Sequence, residues 1–292
     1  MTDQRVLTFK NKRIALIIFI LFIGTVFMKL FGLPPYYQTQ SAKEQLLSLS
    51  DYGTASVTVD NKPLYLSYSG DPAKRAVLFI HGSPGSWDAW ADYLLDEDFR
   101  KNAFMIAPDR AGFGGSDAGY HEPDLAQQAG IIMQGIEQKF PDIESFIIVG
   151  HSYGGPVALR LAVDYQDKVD ALIMLAPSID PEYEEMRWYN KLANTKLVRA
   201  IAPKAVDRSN QEILPLRGEL LKMKPLLGGI TKPVTVIQGE KDKLVPYQNA
   251  HYAKDQIVNA DVTVHLLPKQ GHFIPWKEYS LVKQTLTDYL EN

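Results

Sequence analysis

Apolar positions in this chain fall into short, near-continuous blocks. Ala76–Ile80, Ala103–Ala107, Phe146–Val149, Ala171–Leu175, Val234–Gln238 and Val262–Leu267 are each bounded by polar or glycine-containing segments. A half-buried strand would alternate apolar and polar residues. Continuous apolar runs of this length predict strands covered on both faces, as in a parallel sheet. Helical patterns separate most of the runs. Ahead of them, Val57–Val59 and Leu64–Tyr68 flank Asp60-Asn61, which predicts a hairpin. The pattern implies an open α/β sheet, mostly parallel with an antiparallel start, and helices on both faces.

The N-terminal pattern is different. Ile14–Met28 carries no charge, Lys29 interrupts, and Leu30–Leu33 continues to Pro34-Pro35. About twenty helical residues span a bilayer core of about 30 Å. Residues 14–33 are therefore expected to form a transmembrane anchor, with Lys29 reaching the headgroups. Arg5, Lys10, Lys12 and Arg13 precede the span, and Lys29 and Lys43 are the nearest basic residues after it. This bias puts the basic segment 1–13 in the cytoplasm and the folded domain on the non-cytoplasmic side, periplasmic or extracellular. A cleaved signal peptide is the competing reading, against which no A-x-A-like site follows the span. Residues 34–55 read as a polar linker with a short helix around Ala42–Leu49, and the α/β domain is expected over 56–292.

Composition narrows the chemistry. The 292 residues carry a net charge of -3, which offers no electrostatic footprint for nucleic acid. There are no cysteines, so disulfides, thiolate catalysis and cysteine-based zinc sites are excluded.

In open α/β sheets function collects at the carboxyl ends of the strands. After Phe146–Val149 comes Gly150-His151-Ser152-Tyr153-Gly154, and then a helical run from Pro156. This is G-x-S-x-G between a strand and a helix, the context in which the serine is lifted clear of the backbone as a nucleophile. Gly150 and Gly154 let strand and helix approach closely. After Ala76–Ile80 comes His81-Gly82-Ser83-Pro84-Gly85. Acyl transfer needs two N–H donors aimed at the oxyanion. The backbone N–H groups of Tyr153 and Ser83 are the candidates. Asp242 follows the run ending at Gln238, and His272 follows the run ending at Leu267. Ser152, Asp242 and His272 thus stand in the chain order of a nucleophile–acid–base triad. Asp180, just after another strand, is the second candidate for the acid. As loop residues the three are expected to be exposed and to fill no core. His81 and His151 read as hydrogen-bonded loop supports, and Asp109-Arg110 as a pair that ties loops together beneath the site. No metal or organic cofactor is expected.

The combination HGSPG, DRAGFGGSD, GHSYGG, GEKDKLVP and Gly271-His272 resembles the α/β-hydrolase family, especially its epoxide hydrolase, haloalkane dehalogenase and carboxylesterase-like members. The resemblance covers roughly residues 56–292. It implies a small-molecule ester or acyl substrate and a lipase- or esterase-like serine hydrolase. Epoxide hydrolases and haloalkane dehalogenases carry an Asp nucleophile, whereas Ser152 stands here, which disfavours those activities. A C–C bond hydrolase or an aminopeptidase of the same fold would share the triad. A catalytically inactive binding protein is the alternative outside enzymes. By the same resemblance, residues 178–230 are expected to form a helical cap, with Trp188 and Tyr189 as candidate substrate-binding residues lining an acyl pocket.

Overall fold

A computed structural model describes residues 36–185 and 188–291. The expected anchor at 14–33 and the basic segment 1–13 lie outside the described residues. Among the described residues no helix is long and apolar enough to cross a membrane. The first helix, α1, spans Tyr36–Leu46 and so ends sooner than the sequence suggested. Strand β1 (Tyr52–Val59) begins ahead of Ser56. It pairs with β2 (Lys62–Gly70) through a tight turn in which Asp60 and Asn61 both have positive φ. Such a turn matches the twist of the two strands, and Asn and Asp tolerate it better than most side chains.

The remaining strands are β3 (Ala76–Ile80), β4 (Phe104–Pro108), β5 (Phe146–His151), β6 (Val169–Leu175), β7 (Val234–Gly239) and β8 (Val262–Leu267). They form an eight-stranded sheet in the order β1-β2-β4-β3-β5-β6-β7-β8. Pairings β1–β2 and β2–β4 are antiparallel, and all others are parallel.

The apolar runs are continuous because alternate residues enter two different cores. Leu78, Ile106, Ile148, Leu172 and Val236 face one core. It is completed by the helices α4 (Leu125–Lys139) and α5 (Gly154–Asp164). Phe79, Met105, Val149, Ile173 and Ile237 face the other. Helix α1 covers it together with α2 (Ala91–Leu95) and α3 (Glu97–Asn102). Between β6 and β7 lie α6 (Trp188–Ala193), α7 (Lys196–Arg199) and the long α8 (Lys204–Met223). Helices α9 (Gln248–Gln256), α10 (Ile274–Lys277) and α11 (Tyr279–Glu291) complete the domain. Leu216, Leu220 and Met223 of α8 join the first core at helical spacing, and Val282 and Leu286 of α11 join the second.

Candidate active site

The turn from β5 into α5 places Ser152 at φ +55°, a left-handed conformation that costs a side chain free energy. The neighbours hold it there. Ser152 N–H donates to the Leu175 carbonyl at 3.0 Å, and its own carbonyl accepts from Gly155 N–H at 2.9 Å. Gly154 must lack a side chain, since a Cβ there would lie 2.3 Å from the Ile80 carbonyl oxygen. The close approach sets the start of α5 directly on the end of β3, and with it the loop His81–Gly85.

His272 stands between two partners. Its Nε2 is 2.9 Å from Ser152 Oγ, and its Nδ1 is 2.7 Å from Asp242 Oδ2. A carboxylate only accepts, so Nδ1 carries the proton and Nε2 offers a lone pair to the serine hydroxyl. Asp242 is fixed in turn. Its Oδ1 accepts from the N–H groups of Leu244 (2.8 Å) and Val245 (2.9 Å), and its Oδ2 also accepts from Gln238 Nε2 at 3.2 Å. The structure thus brings Ser152, His272 and Asp242 together from the ends of three strands. The expectation that these residues are exposed is corrected: the side chain of Asp242 is 0% exposed and that of His272 9%. The reason is that β7, β8 and the loops after them close over the carboxylate, which strengthens its hold on the imidazole by excluding water.

Asp180, the other candidate acid, is not part of this chain. Its carboxylate accepts the Glu182 N–H at 2.9 Å within its own turn, and burial pushes its pKa up. Asn249 Oδ1 pins that turn by accepting from the N–H groups of Ile179 and Asp180 at 2.7 and 2.8 Å.

The loop after β3 leans on the nucleophile: a Cβ added at Gly82 would lie 3.1 Å from Ser152 Cβ. Ser83 follows it, and Tyr153 follows the serine. Neither residue's N–H enters a loop or cap hydrogen bond with the backbone among the described residues. Two histidines brace the site. His81 donates from Nδ1 to the Gly82 carbonyl at 2.7 Å and accepts the Arg110 N–H on Nε2 at 2.9 Å. Burial first, then the Arg110 charge, holds its pKa well below the ordinary value. His151 Nε2 lies 3.0 Å from the His272 carbonyl, and its ring is 4.9 Å from that of His272. Burial, then the proximity of His272, pulls its pKa down to about 3. Neutral His151 therefore donates to the backbone that carries the base, without competing for its proton.

Beneath the site Arg110 is fully buried. All of its side-chain donors are used. Nε bonds the His81 carbonyl (3.0 Å) and Nη2 the Gly82 carbonyl (3.0 Å). Nη1 bonds Gln128 Oε1 (2.9 Å), and Nη1 and Nη2 grip both oxygens of Glu212 at 2.7 and 2.9 Å. Its guanidinium lies against the rings of Phe113 and Tyr153, 4.9 and 4.7 Å from their centroids. Asp109 accepts from the N–H groups of Trp87 and Gly115, and its pKa is raised to about 6 by burial. The loop-tying role expected for the Asp109-Arg110 pair is what these contacts provide. Glu212 was not foreseen. The signal was present, because it shares a stripe of α8 with the buried Leu216, Leu220 and Met223. A carboxylate on an apolar stripe needs a buried cation.

Trp188 is 73% exposed, so the expectation that it lines an acyl pocket is not met. The short helix α6 is held by contacts to α8 through Asn190 and Asn210, which leaves its first residue on the outside. The side chain of Tyr189 lies outside the described residues.

Comparison with known proteins gives a consistent answer for the fold. The profile of the alpha/beta hydrolase fold matches residues 75–197. A 2-hydroxymuconate semialdehyde hydrolase from Pseudomonas sp. (strain CF600) is 24% identical over 251 residues, 73% of this chain and 86% of that protein. The structure of a bacterial membrane phospholipase A superposes with a TM-score of 0.64 at 18% identity, covering 97% of this chain and 99% of that one. An esterase from Exiguobacterium antarcticum superposes with a TM-score of 0.63 at 18% identity, covering 84% of this chain and all (100%) of the other.

Proposed function

Because the chain belongs to the α/β-hydrolase fold family, we propose that it is a serine hydrolase that cleaves carboxylic esters through an acyl-enzyme. The observation that carries this reading is the unbroken Ser152–His272–Asp242 hydrogen-bond chain at 2.9 and 2.7 Å, with the serine on a strained turn. Ser152 Oγ attacks the ester carbonyl carbon as His272 Nε2 takes its proton. Asp242 keeps the imidazole in the required tautomer and stabilises the imidazolium. The N–H groups of Tyr153 and Ser83 receive the developing oxyanion, each contributing about 3 kcal/mol to the transition state. The ester C–O bond breaks as His272 returns the proton to the leaving alkoxide. Water, deprotonated by the same histidine, then releases the acid. The test is covalent labelling by a fluorophosphonate. Label should appear on Ser152 and vanish in Ser152→Ala; equal labelling of the folded variant would end this reading.

C–C bond hydrolysis is the second reading, favoured by the similarity to the 2-hydroxymuconate semialdehyde hydrolase. It uses the same triad, so substrate panels of esters and of vinylogous diketones separate the two. Residues 14–33 further suggest a single-pass protein with the hydrolase domain on the non-cytoplasmic side. Intact-mass measurement of membrane-extracted protein should find the full chain, and a mature form starting after residue 33 would refute the anchor.

A further inference from the structure

Between Trp188 and Val206 the chain carries Lys191, Lys196, Arg199 and Lys204 and no aspartate or glutamate, in a protein whose net charge is -3. Large apolar side chains are interleaved with these cations. Leu197 is 70% exposed, and Leu192, Ile201 and Val206 are also turned to solvent, as is Trp188. The spacing explains the grouping. Trp188 and Leu192 are one helical turn apart on α6. Leu197 and Ile201 are one turn apart across α7, whose hydrogen bonds continue as Ala200 N–H to Lys196 O and Ala202 N–H to Val198 O. Arg199 is held by Asp207 at 2.8 Å, whereas Lys191 and Lys196 enter no ion pair among the described residues. Elsewhere in the insertion, buried residues of α8 face the first core, so these outer positions are not needed to fill it.

A surface in contact only with water gains nothing from grouping Leu, Ile, Val and Trp there. The same set suits the boundary of a lipid bilayer. Apolar tips enter the acyl region, and lysines lay their stems along it and keep their charge among the headgroups. Anionic headgroups add attraction for each lysine. We propose that the exposed face of residues 188–206 docks on an anionic phospholipid surface. Delivery of an acyl lipid from that surface to Ser152 is a consequence that rests on the serine-hydrolase reading; the docking itself does not.

The chain has no cysteine, so a single introduced thiol gives one defined label. Leu197→Cys and, as a control on another exposed apolar residue, Val258→Cys would carry an environment-sensitive fluorophore in the full chain. The proteins would be reconstituted in phosphatidylcholine vesicles with and without phosphatidylglycerol. The label at 197 should blue-shift and be quenched by spin-labelled lipid when phosphatidylglycerol is present, while the label at 258 stays aqueous. Adding Lys191→Glu and Lys196→Glu should lower the lipid-quenched fraction at 197 about tenfold. Equal signals at 197 and 258 would overturn the proposal. So would a blue shift that grows with protein concentration in the absence of lipid, because a second copy of the chain would then be the occupant. Turnover of a short water-soluble ester in the same samples keeps the two readings apart. A shifted label without turnover sinks the hydrolase reading alone, and turnover with an unshifted label sinks the surface alone.

Discussion

The carboxyl end of the sheet and the outer helices of the insertion are built on opposite terms. At the sheet end the key charged groups are buried and partnered: Asp242 accepts from Leu244, Val245, Gln238 and His272, and Arg110 spends every side-chain donor. At the outer helices, Leu197 and Ile201 face solvent and lysines stand beside them. Preorganisation demands the first arrangement, because donors and base must not reorganise during reaction. Contact with something outside the molecule demands the second. On the two proposals made above, chemistry and surface docking fall to different parts of the chain. The parts meet at the Arg110–Glu212 pair, through which α8 grips the residue that holds the His81 and Gly82 carbonyls.

The sharpest break of that division is at the triad. Ser152→Ala and His272→Ala should each lower ester turnover on the order of 10⁵- to 10⁶-fold, and the double variant should be little worse than either. Asp242→Asn should cost about 10⁴-fold by favouring the wrong tautomer, and Asp180→Asn close to nothing. Steady-state rates on one soluble ester decide it. A large loss in Asp180→Asn would return the acid to β6. The next effect is at the junction. Glu212→Ala leaves the Arg110 charge buried without its carboxylate, which should cost about 3–5 kcal/mol of stability. Urea unfolding measures this; a wild-type midpoint would mean that the two regions are not coupled through the pair. The smallest effect reads the strain at the elbow. Ser152→Gly should be more stable than Ser152→Ala by about 1 kcal/mol, since glycine accepts φ +55° without penalty. Both variants would be inactive. Equal midpoints would show that the turn stores no strain.

Much of the domain could be read from residue order. The apolar runs marked β3–β8, of which β3–β7 are covered on both faces while the edge strand β8 is only half-buried, and Asp60-Asn61 marked the hairpin. Gly150 and Gly154 around Ser152 announced the strand–turn–helix, because a Cβ at either would collide with backbone 2.5 or 2.3 Å away. Other features escaped. Glu212 was passed over in the sequence, and its partner was identified only when α8 was laid against Arg110. Asn249 and Gln238 carry no motif and matter only through the backbone and carboxylate they reach.

What the sequence determined by itself is local or periodic: which segments are strands, where the backbone must turn sharply, and which residue types could act as nucleophile, acid and base. Asp242 and Asp180 both follow strands, and along the chain only the GEKDKLVP stretch around Asp242 put it first. The tertiary structure decided between them by register. It sets β7 beside β8, so that Asp242 lies 2.7 Å from His272, while Asp180 is held in its own turn. It also decided which insertion residues face the core and which face out. The physical reason is that hydrogen bonds and burial act over ångströms in space, and the chain brings together residues far apart in sequence only when the sheet is assembled.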